Sequence, residues 1–433
     1  MPMNRVYQMP SQPVRVRKDK ILSGSFWLLC IIGLWNLNGL TSMLFEANRL
    51  MSLAFLGLGC LILVRSKQWG KSIGKSGMAF CGFIFLYLAI GAMVRPEVGM
   101  IVSHVNSVFI VGVSAIASRR IILSRGFPFF LKILLILTTL GAWTVFLTPF
   151  LGAAYNNLGN SRMNFHAGRW MGFFANPNSC GMAGVCGLAT CLTGLTMNSR
   201  EFPFKGTIPF IIAFLGVGVL LTFSRTAILL FGTLAMCYGA LTFKMNKHTI
   251  SILFGGILLI VTTFWFFTGG YENFDWAPQQ LRRIVSVERI IQGNADSADY
   301  GGRYNGISGG LAYWSKSPII GHGLGSMHRM PVRYFGGLGC HNTHVMVLGE
   351  SGVFGMAAYV FFLFVFGLKT WQMKYMPTRT FCVFFFLMLG AWGMVSHDML
   401  EDRNLNILLG VCFAFLSLDK TLAASHRGKK YGR

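Results

Sequence analysis

Apolar runs of about 20 residues recur along the whole chain, and that recurrence restricts the fold more than any other feature. A helix of that length crosses ~30 Å of hydrocarbon. Inside a bilayer every backbone amide has to be bonded internally, which leaves helices and closed barrels. Strand-sized segments of alternating polarity are absent, so the sequence predicts an all-α polytopic membrane protein. Composition agrees. Of the residues, 53% are hydrophobic and 12% charged, against about 25% charged in soluble domains.

Twelve spans are read, roughly 25–45, 47–64, 77–94, 98–117, 127–148, 173–196, 207–223, 226–243, 249–268, 345–368, 381–397 and 405–418. The organisation that follows is an N-terminal segment (1–24), spans 1–9 (25–268), a large polar loop between spans 9 and 10 (269–344), spans 10–12 (345–418) and a tail (419–433). An even number of spans puts both termini on one side. Lysine and arginine concentrate in cytoplasmic segments of membrane proteins. With the N-terminus inside, 25 of the 38 Lys and Arg residues fall on the inner side and 13 outside. Both termini are therefore expected in the cytoplasm and the 269–344 loop outside it. The polar stretch with Arg15, Arg17, Lys18 and Lys20 reads as the flank of a retained first span, with no small-residue cleavage site.

The net charge of +24 would point to nucleic acid in a soluble protein. Here the cations sort into loops between spans, so no nucleic-acid partner is expected. Most of the ten cysteines lie inside spans and read as small core residues, not a disulfide framework. No His/Cys spacing argues for a metal, and no metal or cofactor is expected.

The outer cations are unusual in kind, for 12 of the 13 are arginine. Only arginine offers a rigid planar fork for paired bonds to phosphate or carboxylate. The large loop holds Arg282, Arg283, Arg289, Arg303, Arg329 and Arg333, with Lys316 its one lysine, and closes on Cys340-His341-Asn342-Thr343-His344. Between spans 5 and 6 come Arg162, His166 and Arg169, then Asn176-Pro177-Asn178. A proline pushes the residue before it to extended backbone and favours the first turn of a helix, so span 6 is expected to start near Pro177. Spans 7 and 8 meet at Thr222-Phe223-Ser224-Arg225-Thr226 without a loop. A charge there costs roughly 2.5–3.5 kcal/mol at a helix centre and less near an interface, which makes Arg225 a functional candidate.

Within the loop, 277–292 predicts a short amphipathic helix with Leu281, Ile284, Val285 and Ile291 on its apolar side. A second helix is expected over Tyr304–Lys316, with Arg303 at its start. Pro318–Gly325 is a glycine-rich turn of the kind that lets backbone approach a ligand closely. Asn342 is expected to bond substrate or hold the loop, and Glu350 to pair with an outer arginine, catalysis being the other role open to it. Asp398, in the link between spans 11 and 12, is the candidate for orienting a histidine. His344 is a further site candidate, whereas His104, His322 and His328 read as ordinary.

Together these pieces resemble one family. His341-Asn342-Thr343-His344-Val345 with Gly352 is similar to the H-[NSQ]-x-x-L-x6-G signature of O-antigen ligases and related Wzy-type glycan polymerases, with valine in place of leucine. Arg303 followed by Pro318-Ile319-Ile320-Gly321-His322-Gly323-Leu324-Gly325 resembles the family's arginine and P-[LI]-x-G-x-G-x-G run. Ser224-Arg225-Thr226 and Gly172–Asn178 resemble its span junction and G-x-F-x-N-P-N entry. The resemblance covers spans 5 to 10. It implies a GT-C-like fold and an inverting glycosyltransferase of lipopolysaccharide biosynthesis in the bacterial inner membrane, active on the periplasmic face without nucleotide or metal. The donor would be a glycan on undecaprenyl diphosphate, and the acceptor the lipid A-core or another glycan. On such a donor His341 is expected to act as base with Asp398 orienting it, and Arg225, Arg303 and Arg169 to clamp the diphosphate with Arg162 and Arg289 behind them. Substrate-binding roles are expected for Arg162, Arg169, Asn178, Arg289 and Asn342. A protein-directed glycan ligase shares the signature, and a transporter would need repeats with broken helices in both halves, which the sequence lacks.

Overall fold

The computed structural model describes residues 19–37, 39–41, 48–66, 70–151, 169–174, 176–242, 250, 281, 284–286, 288–289, 292–294, 303–335, 339–396 and 399–431. Among the described residues all regular structure is helical. In chain order the helices are α1 (Lys20–Leu34), α2 (Asn48–Arg65), α3 (Gly70–Val94), α4 (Val98–Arg125), α5 (Phe127–Trp143), α6 (Pro177–Leu195), α7 (Ile208–Leu221), α8 (Arg225–Thr242), α9 (Arg303–Trp314), α10 (Val332–Phe335), α11 (Thr343–Trp371), α12 (Met376–Gly393) and α13 (Arg403–Tyr431). Six of them (α3, α4, α5, α11, α12 and α13) are long and apolar enough to cross a bilayer, and α1, α2, α7 and α8 are shorter apolar helices. The all-α polytopic membrane class expected from hydropathy holds. Apart from Ile250, the ninth span read from the sequence lies outside the described residues.

Hydrophobic burial contributes little between helices in lipid, so close approach of small residues and buried hydrogen bonds has to hold them together. α6 supplies the small residues. Its sequence PNSCGMAGVCGLATCLTGL is buried almost end to end. A Cβ on Gly181 would stand 2.7 Å from the Ala227 methyl, and one on Gly184 2.4 Å from Val219. α7 and α8 therefore pack against α6 through glycine, while Thr138 and Thr190 share a 2.8 Å bond between α5 and α6. A second group forms where α11 lies along α3 and α13 along α4. A Cβ on Gly410 would meet the Val111 carbonyl at 2.4 Å, so α4 and α13 touch nearly backbone to backbone. Five aromatic residues of α12 and α13 are core: Phe381, Phe384, Phe385, Phe413 and Phe415 are buried. α12 packs against α6, α8, α11 and α13, and so joins the two groups.

α11 is bent at Gly352, where φ is 65° and ψ is −162°, backbone that only glycine adopts without a cost of about 1–3 kcal/mol. A Cβ there would also sit 2.1 Å from the Ile319 carbonyl oxygen. Gly352→Ala is therefore expected to destabilise the protein by at least ~2 kcal/mol, read as a lower melting temperature in detergent. An unchanged temperature would show that the bend is soft.

Candidate functional site

The break between α7 and α8 builds the first half of the site. α7 ends at Leu221 and α8 starts at Arg225. Between them Phe223 adopts φ +50°, a left-handed conformation that costs a non-glycine residue roughly 1–2 kcal/mol. A broken helix leaves its last carbonyls without intrahelical partners, and Arg169 answers that need. Its Nε donates to the Thr222 carbonyl at 3.0 Å, and its Nη2 to the Phe223 carbonyl at 3.5 Å and to Asn178 Oδ1 at 3.0 Å. Trp170 N–H donates to the Leu221 carbonyl at 3.1 Å. Arg169 is only 5% exposed.

Asn178 stands in the first turn of α6. Asn176 caps that helix with extended backbone and accepts the Asn178 N–H at 2.8 Å, and Pro177 follows it, as the sequence led us to expect. Arg225 is half-buried, and its Nη1 donates to Ser286 Oγ at 3.2 Å. Ser286 belongs to a helical stretch whose Ile284 is fully buried. The predicted residues Arg169, Asn178 and Arg225 thus converge at one helix break. Arg289 lies exposed on the same stretch as Ser286. Leu281, expected on the apolar side, is 41% exposed.

The second half is built around the start of α11. His341 is exposed. Asn342 caps the helix, with Oδ1 accepting the Val345 N–H at 2.9 Å, and its Nδ2 donates to the Met394 carbonyl at 3.2 Å. Thr343 Oγ1 donates to the Ser396 carbonyl at 2.5 Å. Of the two roles foreseen for Asn342, the one it fills here is to hold the loop. Burial pushes the Cys340 thiol up to about 11, so this neighbour of His341 is a packed thiol, not a nucleophile. His344 turns its Nε2 to the Gly390 carbonyl at 3.2 Å, towards α12. α9 lies against this segment: a Cβ on Gly310 would stand 2.8 Å from Val345 and 3.5 Å from the Cys340 Cβ. Arg303 opens α9, close to its foreseen place, and is located by its backbone. Both halves hang on α12 and the turn after it: α12 packs against α6 and α8, and the carbonyls of Met394 and Ser396, just past its end, hold Asn342 and Thr343.

Arg162 and Asp398 lie outside the described residues. Two expectations are corrected. Glu350 faces Tyr87, Met327 and His328 rather than an outer arginine. The glycine-rich turn does allow close approach, but to the protein's own backbone. Gly321, Gly323 and Gly325 have φ of 73°, 85° and 73°. A Cβ on Gly321 would meet the Glu350 carbonyl at 2.7 Å, and one on Gly323 the Arg95 nitrogen at 2.6 Å. Sequence reasoning passed over His328 and His104. His328 Nδ1 lies 3.4 Å from Glu350 Oε1, and the buried His104 ring lies 5.2 Å from that of Tyr87. Nothing in the spacing of these residues announces their contacts.

No curated protein matches the chain. Residues 210–360 match the Wzy_C family model, described as O-Antigen ligase. That stretch contains the α7–α8 break, Arg225, Ser286, Arg303, the glycine turn, His341 and Glu350. The motifs that carried the sequence resemblance between spans 7 and 10 lie within this match, so a polytopic membrane protein here holds a stretch similar to O-antigen ligases.

Proposed function

We propose that the protein is a glycosyltransferase that moves an undecaprenyl-diphosphate-linked glycan en bloc onto the lipid A-core oligosaccharide, on the periplasmic face of the inner membrane. The observation that carries this reading is the convergence of Arg169, Asn178 and Arg225 at a break between two apolar helices, inside a chain whose family domain is of the ligase or polymerase type. In the reaction, the acceptor hydroxyl attacks the donor sugar C1. The bond from C1 to the diphosphate oxygen breaks, and the hydroxyl proton passes to a base. Negative charge grows on the departing diphosphate, so cations that grip it harder as charge develops lower the barrier. Arg225 and Arg303 take that role, Arg169 holds the wall of the site, and Arg162 and Arg289 stand behind them. His341, exposed at the start of α11, is the base, since a neutral imidazole accepts protons near pH 7. Asp398 orients it.

The second reading, polymerisation of repeat units by a Wzy-type reaction, uses the same donor and differs in acceptor. Incubation of the purified protein with undecaprenyl-diphosphate glycan, with and without lipid A-core, separates the two. Transfer that requires the core identifies a ligase. Lengthened glycan without core identifies a polymerase, and no consumption of donor in either arm would sink both.

A further inference from the structure

Glu350 is a carboxyl group at zero exposure in the apolar body of α11. Placing an acidic side chain there without partners is expensive, so its contacts show what it is kept for. Oε2 accepts from the Tyr87 hydroxyl of α3. Oε1 accepts the Met327 N–H at 3.3 Å and lies 3.4 Å from His328 Nδ1. The backbone beside it is engaged too: the Gly349 and Glu350 carbonyls accept from His322 N–H at 2.8 Å and Gly323 N–H at 3.1 Å. One side chain thus joins two membrane helices to the loop that crosses above them.

That loop leads to the base. The Met327 carbonyl accepts the Cys340 N–H at 3.0 Å. A Cβ on Gly339 would stand 2.5 Å from the His328 carbonyl oxygen, so the segment entering His341 rests directly on Met327 and His328. The path from Glu350 to the residue beside His341 is two hydrogen bonds long, through main chain with little freedom to move sideways.

We propose that Glu350 is a positioning residue: its buried carboxyl, bonded to Tyr87 and Met327 and facing His328, fixes the Cys340–His341 segment and thereby the place of the His341 imidazole. This rests on the reading of His341 as the base, and the test separates the two. A displacement of about 1 Å at a reacting group costs on the order of 10²-fold in rate. Glu350→Ala is expected to lower kcat by about 10²-fold while the KM for the lipid-linked donor, set by the arginines at the α7–α8 break, stays within about threefold. Glu350→Gln keeps the volume and one acceptor oxygen, and is expected to fall between the two, at about a tenth of wild-type kcat.

The second readout needs no substrate. Carbethoxylation of His341 by diethyl pyrocarbonate, followed peptide by peptide by mass spectrometry, is expected to change rate by about threefold or more in Glu350→Ala as the imidazole leaves its place. Where the alanine variant does not fold, the glutamine variant carries the same two readouts in the same direction. Wild-type kcat in the variants, or an unchanged rate of His341 labelling, overturns the proposal. A wild-type protein that transfers no glycan overturns the functional reading instead, and the labelling rate still decides the position of His341.

Discussion

His341→Ala is expected to reduce glycan transfer by about 10²–10⁴-fold, the usual contribution of a positioned general base, without changing membrane insertion. Three features separate this histidine from its neighbours. It is exposed at the mouth of α11. Asn342, directly after it, is pinned by the helix cap and by the Met394 carbonyl. Cys340, directly before it, is tied to Met327. A side chain held on both flanks and open between them suits proton transfer. His344 is turned to Gly390 instead, so His344→Ala should retain most of the activity. The check is release of polyprenyl diphosphate from proteoliposomes holding donor and acceptor. If His341→Ala keeps more than about a tenth of the rate, this histidine is not the base.

Replacing Arg225 by alanine is expected to cost about 10²–10³-fold in kcat, comparable to removing one donor from a site that stabilises developing negative charge. Arg225→Lys keeps the charge but loses the fork and should fall between the two. The protein should remain folded, because Arg225 is only half-buried and the group it donates to, the Ser286 hydroxyl, is neutral. Arg169→Ala should behave differently. It strips a buried partner from the Thr222 and Phe223 carbonyls, and each unsatisfied buried group costs about 1–3 kcal/mol. Both its melting temperature and its activity should drop. Equal losses of stability in the two variants would mean that both arginines serve the fold and neither is reserved for the donor.

What could be read from the sequence divides along physical lines. Features set by neighbours in the chain were legible. Asn176-Pro177 gave the cap and start of α6, the apolar runs on either side of 222–225 gave the α7–α8 break, and Arg303 marked the start of α9. Features set by distant partners were not. Glu350 and Tyr87 are 263 positions apart, so nothing local shows that the acid meets a phenol rather than an arginine. The glycine turn is an intermediate case. Its spacing says that something must come close, and only the fold says that the something is Arg95 and α11. Arg169 reads as a ligand for anions because the sequence shows its charge and not the carbonyls at Thr222 and Phe223.

The seam where Pro318–Gly325 lies on α11 also has a bearing on which substitutions this chain can accept. No methyl group fits at Gly321, Gly323 or Gly352 without meeting main chain. A side chain at any of these three positions has to push backbone aside, so in this chain the stitch admits glycine alone and variation has to fall elsewhere on the surface.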